Sequence, residues 1–176
     1  MTTISKGVDV AAGTYPYDLG KFTFSVSTHT RSAHAQQWFN RGIIWCYGYH
    51  HEEAIRCFDT ALAIDNKYVM AMWGKAYAGG PNYNKPWEAF LEEERIAAQK
   101  ACYDTTQRAL DVIHHDHGSE GYSMEAALVV ALAKRYQTPR CDDMDTLAKW
   151  NMEYAEAMGE GSPTTSTSSR WLLRPT

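Results

Sequence analysis

Apolar residues recur at a helical interval along most of this chain, most cleanly between Ser32 and Gly80. Trp38, Gly42 and Trp45 fall at i, i+4 and i+7, which stacks them on one face of a helix running from an N-cap at Ser32 to about Tyr49. The same spacing in Ala54, Phe58, Ala61 and Leu62 predicts a second helix from His51 to Ile64. Small residues alternate with a large one, so the two helices are expected to pack closely. The start of another helix follows, ended by Gly79, Gly80 and Pro81. After the turn PNYNKPW, Asn84 is placed to cap a long helix from Trp87 to Ile113, with Pro86 in its first turn and a kink or extension expected from its length. A polar loop, HHDHGSEGYS, follows. Met124, Leu128, Ala131 and Leu132 then mark a helix ending near Tyr136, and Asp142 or Asp143 caps a last one carrying Leu147, Trp150, Tyr154 and Met158 on one face.

The ends of the chain lack this pattern. Residues 1–31 read as an extended arm: Gly13, Pro16 and Gly20 break up its first part, and Lys21–Thr28 (KFTFSVST) alternates Phe22, Phe24 and Val26 with polar residues, as an extended segment with one face packed would. Residues 32–160 form the helical domain. Residues 161–176, GSPTTSTSSRWLLRPT, are rich in serine and threonine and are expected to be a disordered tail.

The helix pair carries a more specific resemblance. Trp38, Gly42 and Trp45 on the first helix, then Ala54, Phe58 and Ala61 on the second, resemble the tetratricopeptide signature of a helix-turn-helix unit about 34 residues long. Arg41, where that pattern prefers leucine, and Asn66, where it has proline, depart from it. The repeat length of the resemblance places the next helix at about Tyr68 to Gly79, with Met72 and Ala76 at its large and small positions. The stretches SVST, WFNRG, YGYHHEEA, MAMWGKAYAGGPNYN and ALAKRY, across residues 20–160, are similar to a bacterial-type group of tetratricopeptide proteins without established enzyme activity. The resemblance implies an all-α fold of three antiparallel helical hairpins stacked in a right-handed superhelix. It also bears on the tail. With free choice of synonymous codons, a frame change in the Gly161 codon gives an amphipathic helix start resembling the group's continuation, so an out-of-frame end leaving an uncapped helical face is a second expectation.

Composition narrows the function classes. Hydrophobic residues make up 44% of the 176, enough for a core, and the net charge of -4 gives no reason to expect nucleic acid or an acidic membrane as partner. The first residues lack the apolar stretch of a signal peptide, and no window approaches the roughly 20 apolar residues of a spanning helix, so a cytoplasmic protein is expected. Cys46, Cys57, Cys102 and Cys141 are far apart and form no CxxC pair, as buried thiols would be.

Three sets of residues are candidates for function. In tetratricopeptide arrays the groove is lined mainly by the first helix of each unit, which by resemblance assigns Gln36, Phe39, Asn40, Ile43, Tyr47, Trp73 and Tyr77 to a concave aromatic surface for a peptide or partner helix. His50 and His51 at the first turn, with Asn82 and Asn84 at the next, are the candidate cluster for a small ligand or ion. His114, His115 and His117 are nitrogen donors suited to zinc, copper or nickel, although neighbours at a helix end converge poorly on one ion and also suit the helix dipole. No cofactor is implied. There is no P-loop, dinucleotide fingerprint or nucleophile with a local partner, but sites assembled across distant helices leave no linear motif, so catalysis is left open. The leading expectation is a non-catalytic interaction scaffold. The alternatives are a small-molecule or metal-binding protein and a homo-oligomer formed through the helical end.

Overall fold

Six α-helices and one 3-10 turn make up the helical structure among the described residues, 15–20, 28–30, 32–115 and 123–160, of the computed structural model. The α-helices are α1 (Ala33–Tyr47), α2 (His51–Ile64), α3 (Val69–Gly79), α4 (Glu92–His115), α5 (Ser123–Arg135) and α6 (Met144–Glu160). The expected extended segment over 21–27, the loop around His117 and the tail over 161–176 lie outside the described residues. None of the described helices is long and apolar enough to cross a membrane.

Local chemistry accounts for where α1 begins and ends. Ser32 Oγ accepts the Ala35 amide at 3.2 Å, the bond expected of an N-cap. At the other end the His50 amide reaches back to the Trp45 carbonyl at 2.9 Å and the Tyr49 amide to Cys46 at 3.1 Å. These paired bonds form a Schellman motif, which needs a left-handed residue and usually takes glycine there. Here the residue is Tyr49, at φ 59°.

The turn folds α2 back along α1. At one end Thr30 Oγ1, just before α1, donates to Asp65 Oδ2, just after α2, at 2.6 Å. At the other, the Tyr15 hydroxyl takes the Trp45 indole N–H and donates to Glu53 Oε1 at 2.9 Å. The hairpin is therefore antiparallel. Arg41, one of the two departures from the repeat signature, lies with its guanidinium 4.5 Å from both the Tyr15 and Trp38 ring centres, a cation against two aromatic faces.

Each helix packs on its neighbours in sequence, and α1, α3 and α5 also touch in turn. The centre of the first three is Phe58, which is fully buried. A methyl group added at Gly42 of α1 would meet its ring at 2.5 Å, and one at Gly74 of α3 at 2.6 Å, so the ring fills the space that both glycines leave. Around it lie Phe39, Ala54, Ala61, Tyr68 and Met72, all fully or almost fully buried.

The predicted helix over Trp87–Ile113 is corrected by the structure. Only a short 3-10 turn forms at Trp87–Ala89, Phe90 is extended, and α4 starts at Glu92. The break lets Phe90 pack on the buried Trp87 with ring centres 4.9 Å apart, and Lys85 places its ammonium 4.3 Å from the Phe90 ring. Glu92, Glu93 and Glu94 then fill the first turn of α4, where negative charge favours a helix start. At α6 the open choice of cap resolves to Asp143, whose Oδ2 accepts the Thr146 amide at 3.2 Å, while Asp142 pairs with Arg140. The buried Gln99 side chain holds the approach to α6, exchanging bonds of 2.9 and 2.7 Å with the Cys141 main chain.

Two substitutions check this packing against ordinary helix preferences. Glycine to alanine inside a helix normally stabilises by about 1 kcal/mol, but overpacking costs about 1–3 kcal/mol, so Gly42→Ala is expected to lower the unfolding free energy in urea. A gain would mean that the Phe58 ring has room to yield. Tyr49→Gly should stabilise by about 1 kcal/mol by relieving the left-handed conformation. Unchanged stability would show that Tyr49 side-chain contacts offset the strain.

Candidate functional site

The helices α1, α3 and α5 run in one direction, and their two ends differ chemically. At their starting ends, Thr28–Thr30 crosses from α1 to α5. Thr28 Oγ1 donates to Gln36 Oε1 of α1 at 2.7 Å and also bonds the Tyr68 hydroxyl at the start of α3. The His29 amide donates to Glu125 Oε1 of α5 at 2.6 Å, and His29 Nδ1 lies 3.1 Å from the same oxygen. Gln36 passes the network on, its Nε2 donating to Asn40 Oδ1 at 3.0 Å. Glu125 is only 3% exposed, and its second oxygen, Oε2, has no hydrogen-bond partner among the described residues.

The finishing ends are aromatic. Tyr47 closes α1, Tyr77 lies near the end of α3, and Arg135 is the last residue of α5. Their electrostatics tie them together. Burial, then the nearby Tyr77 hydroxyl, raises the pKa of Tyr47; burial also raises that of Tyr77, against the opposing charge of Arg135. Arg135 also lies 4.9 Å from the Tyr154 ring of α6 and donates to Asn151 Oδ1 at 2.8 Å. Burial pushes Tyr154 up to about 12, with Arg135 pulling the other way.

The expected groove residues divide between surface and core. Tyr47 is 50% exposed, and Gln36, Asn40 and Tyr77 are half-buried. Phe39, Ile43 and Trp73 are buried: the Phe39 ring centre is 5.7 Å from that of Phe58 and 5.5 Å from that of Tyr68, and Trp73 stacks on Tyr77 at 5.2 Å. The neighbouring helices cover them, so these three side chains belong to the core and not to an exposed lining.

The hydrogen bonds and ring contacts of the two turns are each local among the described residues. His50 is exposed, its ring edge-on to Trp45 at 5.2 Å, whereas both ring nitrogens of His51 are buried without a partner. Asn82 turns its Oδ1 onto the Asn84 and Lys85 amides at 3.0 and 3.1 Å, which closes its own turn, and Asn84 is exposed. No hydrogen bond joins these asparagines to His50 or His51 among the described residues. His114 and His115 are exposed at the end of α4, where His115 lines a shallow cleft with Lys67, Arg108, Asp111 and Val112; His117 lies outside the described residues. No group of three metal-ligating side chains occurs among the described residues.

The cysteines are free thiols. Burial pushes Cys46 up to about 12 and Cys57 and Cys102 up to about 11, which keeps them protonated at neutral pH and poor as nucleophiles. Sequence reasoning missed Tyr68 and Glu125. A glutamate in the first turn of a helix is ordinary dipole chemistry, and nothing local marked Glu125 as buried across from residues 28–30.

His51 offers a test by pH. Burial, then the neighbouring His50, lowers its pKa, and its place in the first turn of α2 also disfavours a positive charge. As pH falls through about 6.5 the unfolded chain binds a proton that the folded chain resists, so stability should fall with pH in this window. His51→Leu should flatten that slope relative to the parent chain in urea unfolding at several pH values. Parallel pH profiles for the two would contradict the placement of His51.

Comparison of the chain with models of protein families, with curated proteins and with solved structures found no match.

Proposed function

We propose that this chain is a non-catalytic interaction module of the tetratricopeptide type, its three antiparallel hairpins stacked in a right-handed superhelix. In this reading the surface shared by α1, α3 and α5 binds an extended peptide or a partner helix. The observation that carries it is the alignment of those three helices, with polar groups at their starting ends and Tyr47, Tyr77 and Arg135 at their finishing ends. Such a strip gives a ligand donor and acceptor partners along one part and flat aromatic area along another, the combination that peptide grooves use. The Gly42, Ala54, Phe58 and Ala61 packing supports the same reading, because it brings successive helices close enough to form a continuous surface.

Truncating Trp73 would open the core, so exposed and half-buried positions make the better test. Peptides selected from a random display library against the full chain are expected to bind at micromolar affinity. Asn40→Ala combined with Tyr47→Ala should weaken them by about tenfold or more while leaving the thermal midpoint nearly unchanged. A selection that yields no binder, or binders indifferent to both substitutions, would overturn the proposal.

A further inference from the structure

Residues 28–30 are held as a bound peptide would be. Their contacts reach three separate parts of the domain: Thr28 to Gln36 and Tyr68, His29 to Glu125, and Thr30 to Asp65. Gln36, Glu125 and Asp65 all present an acceptor oxygen, while the segment supplies hydroxyls and a main-chain amide. Two of those acceptors are carboxylates. The array therefore favours a ligand rich in donors and positively charged at its centre.

The fit of the central residue is incomplete. The His29 amide and Nδ1 both address Glu125 Oε1, and Oε2 is left buried without a hydrogen-bond partner among the described residues. A buried acceptor without a donor is unfavourable and calls for an explanation. A guanidinium has two parallel N–H donors at the separation of two carboxylate oxygens, and so would satisfy both at once. The position also has an open side: the His29 side chain is 50% exposed while that of Glu125 is 4% exposed, so a longer side chain can approach the carboxylate from solvent.

We propose that Gln36, Asp65, Tyr68 and Glu125 form a recognition site for an extended peptide carrying arginine between two hydroxyl residues, and that Thr28–Thr30 occupies this site as an internal competitor. The inference rests on the peptide-binding reading above and names the ligand for one end of that surface. Release of Thr28–Thr30 opens the site, and an arginine ligand holds it more tightly than His29 because both oxygens of Glu125 are then bonded.

The test uses the full chain and the peptide fluorescein-Gly-Ser-Thr-Arg-Thr-Ser-Gly-amide, labelled at its N-terminus and followed by anisotropy, with alanine in place of arginine as the comparison. The arginine peptide should bind about tenfold or more tightly than the alanine form, the difference expected of charge-assisted hydrogen bonds. Thr28→Ala with Thr30→Ala should tighten binding by weakening the competitor, and Glu125→Gln should abolish the preference for arginine. His29→Arg, a change at a half-exposed position, should raise the thermal midpoint and block the peptide; it decides the question if Glu125→Gln does not fold. Equal affinity for the two peptides, an arginine preference that survives Glu125→Gln, or peptide binding unaffected by His29→Arg would each overturn the proposal. Arginine-dependent binding indifferent to Tyr47→Ala would keep this site and remove the wider groove. Library binders that need Tyr47 and show no preference for arginine would do the reverse.

Discussion

The Phe58 ring lies between two glycines on different helices, and what those glycines lack sets the spacing of the first half of the molecule. Gly42 and Gly74 leave no side chain between the backbones of α1 and α3 and the ring that α2 inserts from below. Everything nearby follows from that spacing. Ala54 and Ala61 must be small because α2 is drawn in close, and Phe39 and Tyr68 are sealed because α1 and α3 are drawn together over them. Interiors packed at crystal-like density tolerate little adjustment, so one aromatic ring held from both sides fixes three helices at once.

That constraint was the most legible part of the chain. Trp38, Gly42, Ala54, Phe58 and Ala61 are spaced by the helix itself, and Ser32 announces its cap by its chemistry alone. What lay beyond local reading depended on third parties. Phe39, Ile43 and Trp73 were assigned to a groove lining by resemblance, yet two of them touch nearly nothing but protein, and Ile43 is little more exposed, because the helices packed beside them cover them. The interruption at Phe90 was hidden for a similar reason: helical periodicity runs through Trp87–Ile113, and only the partnership of Phe90 with Trp87 and Lys85 favours the extended residue. Glu125 is the extreme case. Its type suits the first turn of any helix, and its burial arises from residues 28–30, far away along the chain.

The alignment of α1, α3 and α5 gives the face they share a direction. Because each hairpin reverses the chain, alternate helices start at one edge and finish at the other. Features placed at the same point of successive helices therefore gather into rows. Carboxamide and carboxylate acceptors collect at the starting edge, and tyrosines with Arg135 at the finishing edge. Neither row needs a sequence motif, since each helix contributes one or two residues and the stacking supplies the rest.

One contact bears on how the chain acquires its shape as it is made. The Tyr136 hydroxyl donates to the Ala76 carbonyl at 3.0 Å and sits against Gly80, where any side chain would collide with it. That carbonyl belongs to the last turn of α3, yet its partner is 60 residues further on. On a ribosome delivering residues from the N-terminus, α1, α2 and most of α3 can close around Phe58 while the end of α3 stays hydrated, waiting for α5 to emerge. The last turn of α3 gains this hydrogen bond only once Tyr136 has been made, so a contact that closes one hairpin is supplied by a residue of a later one.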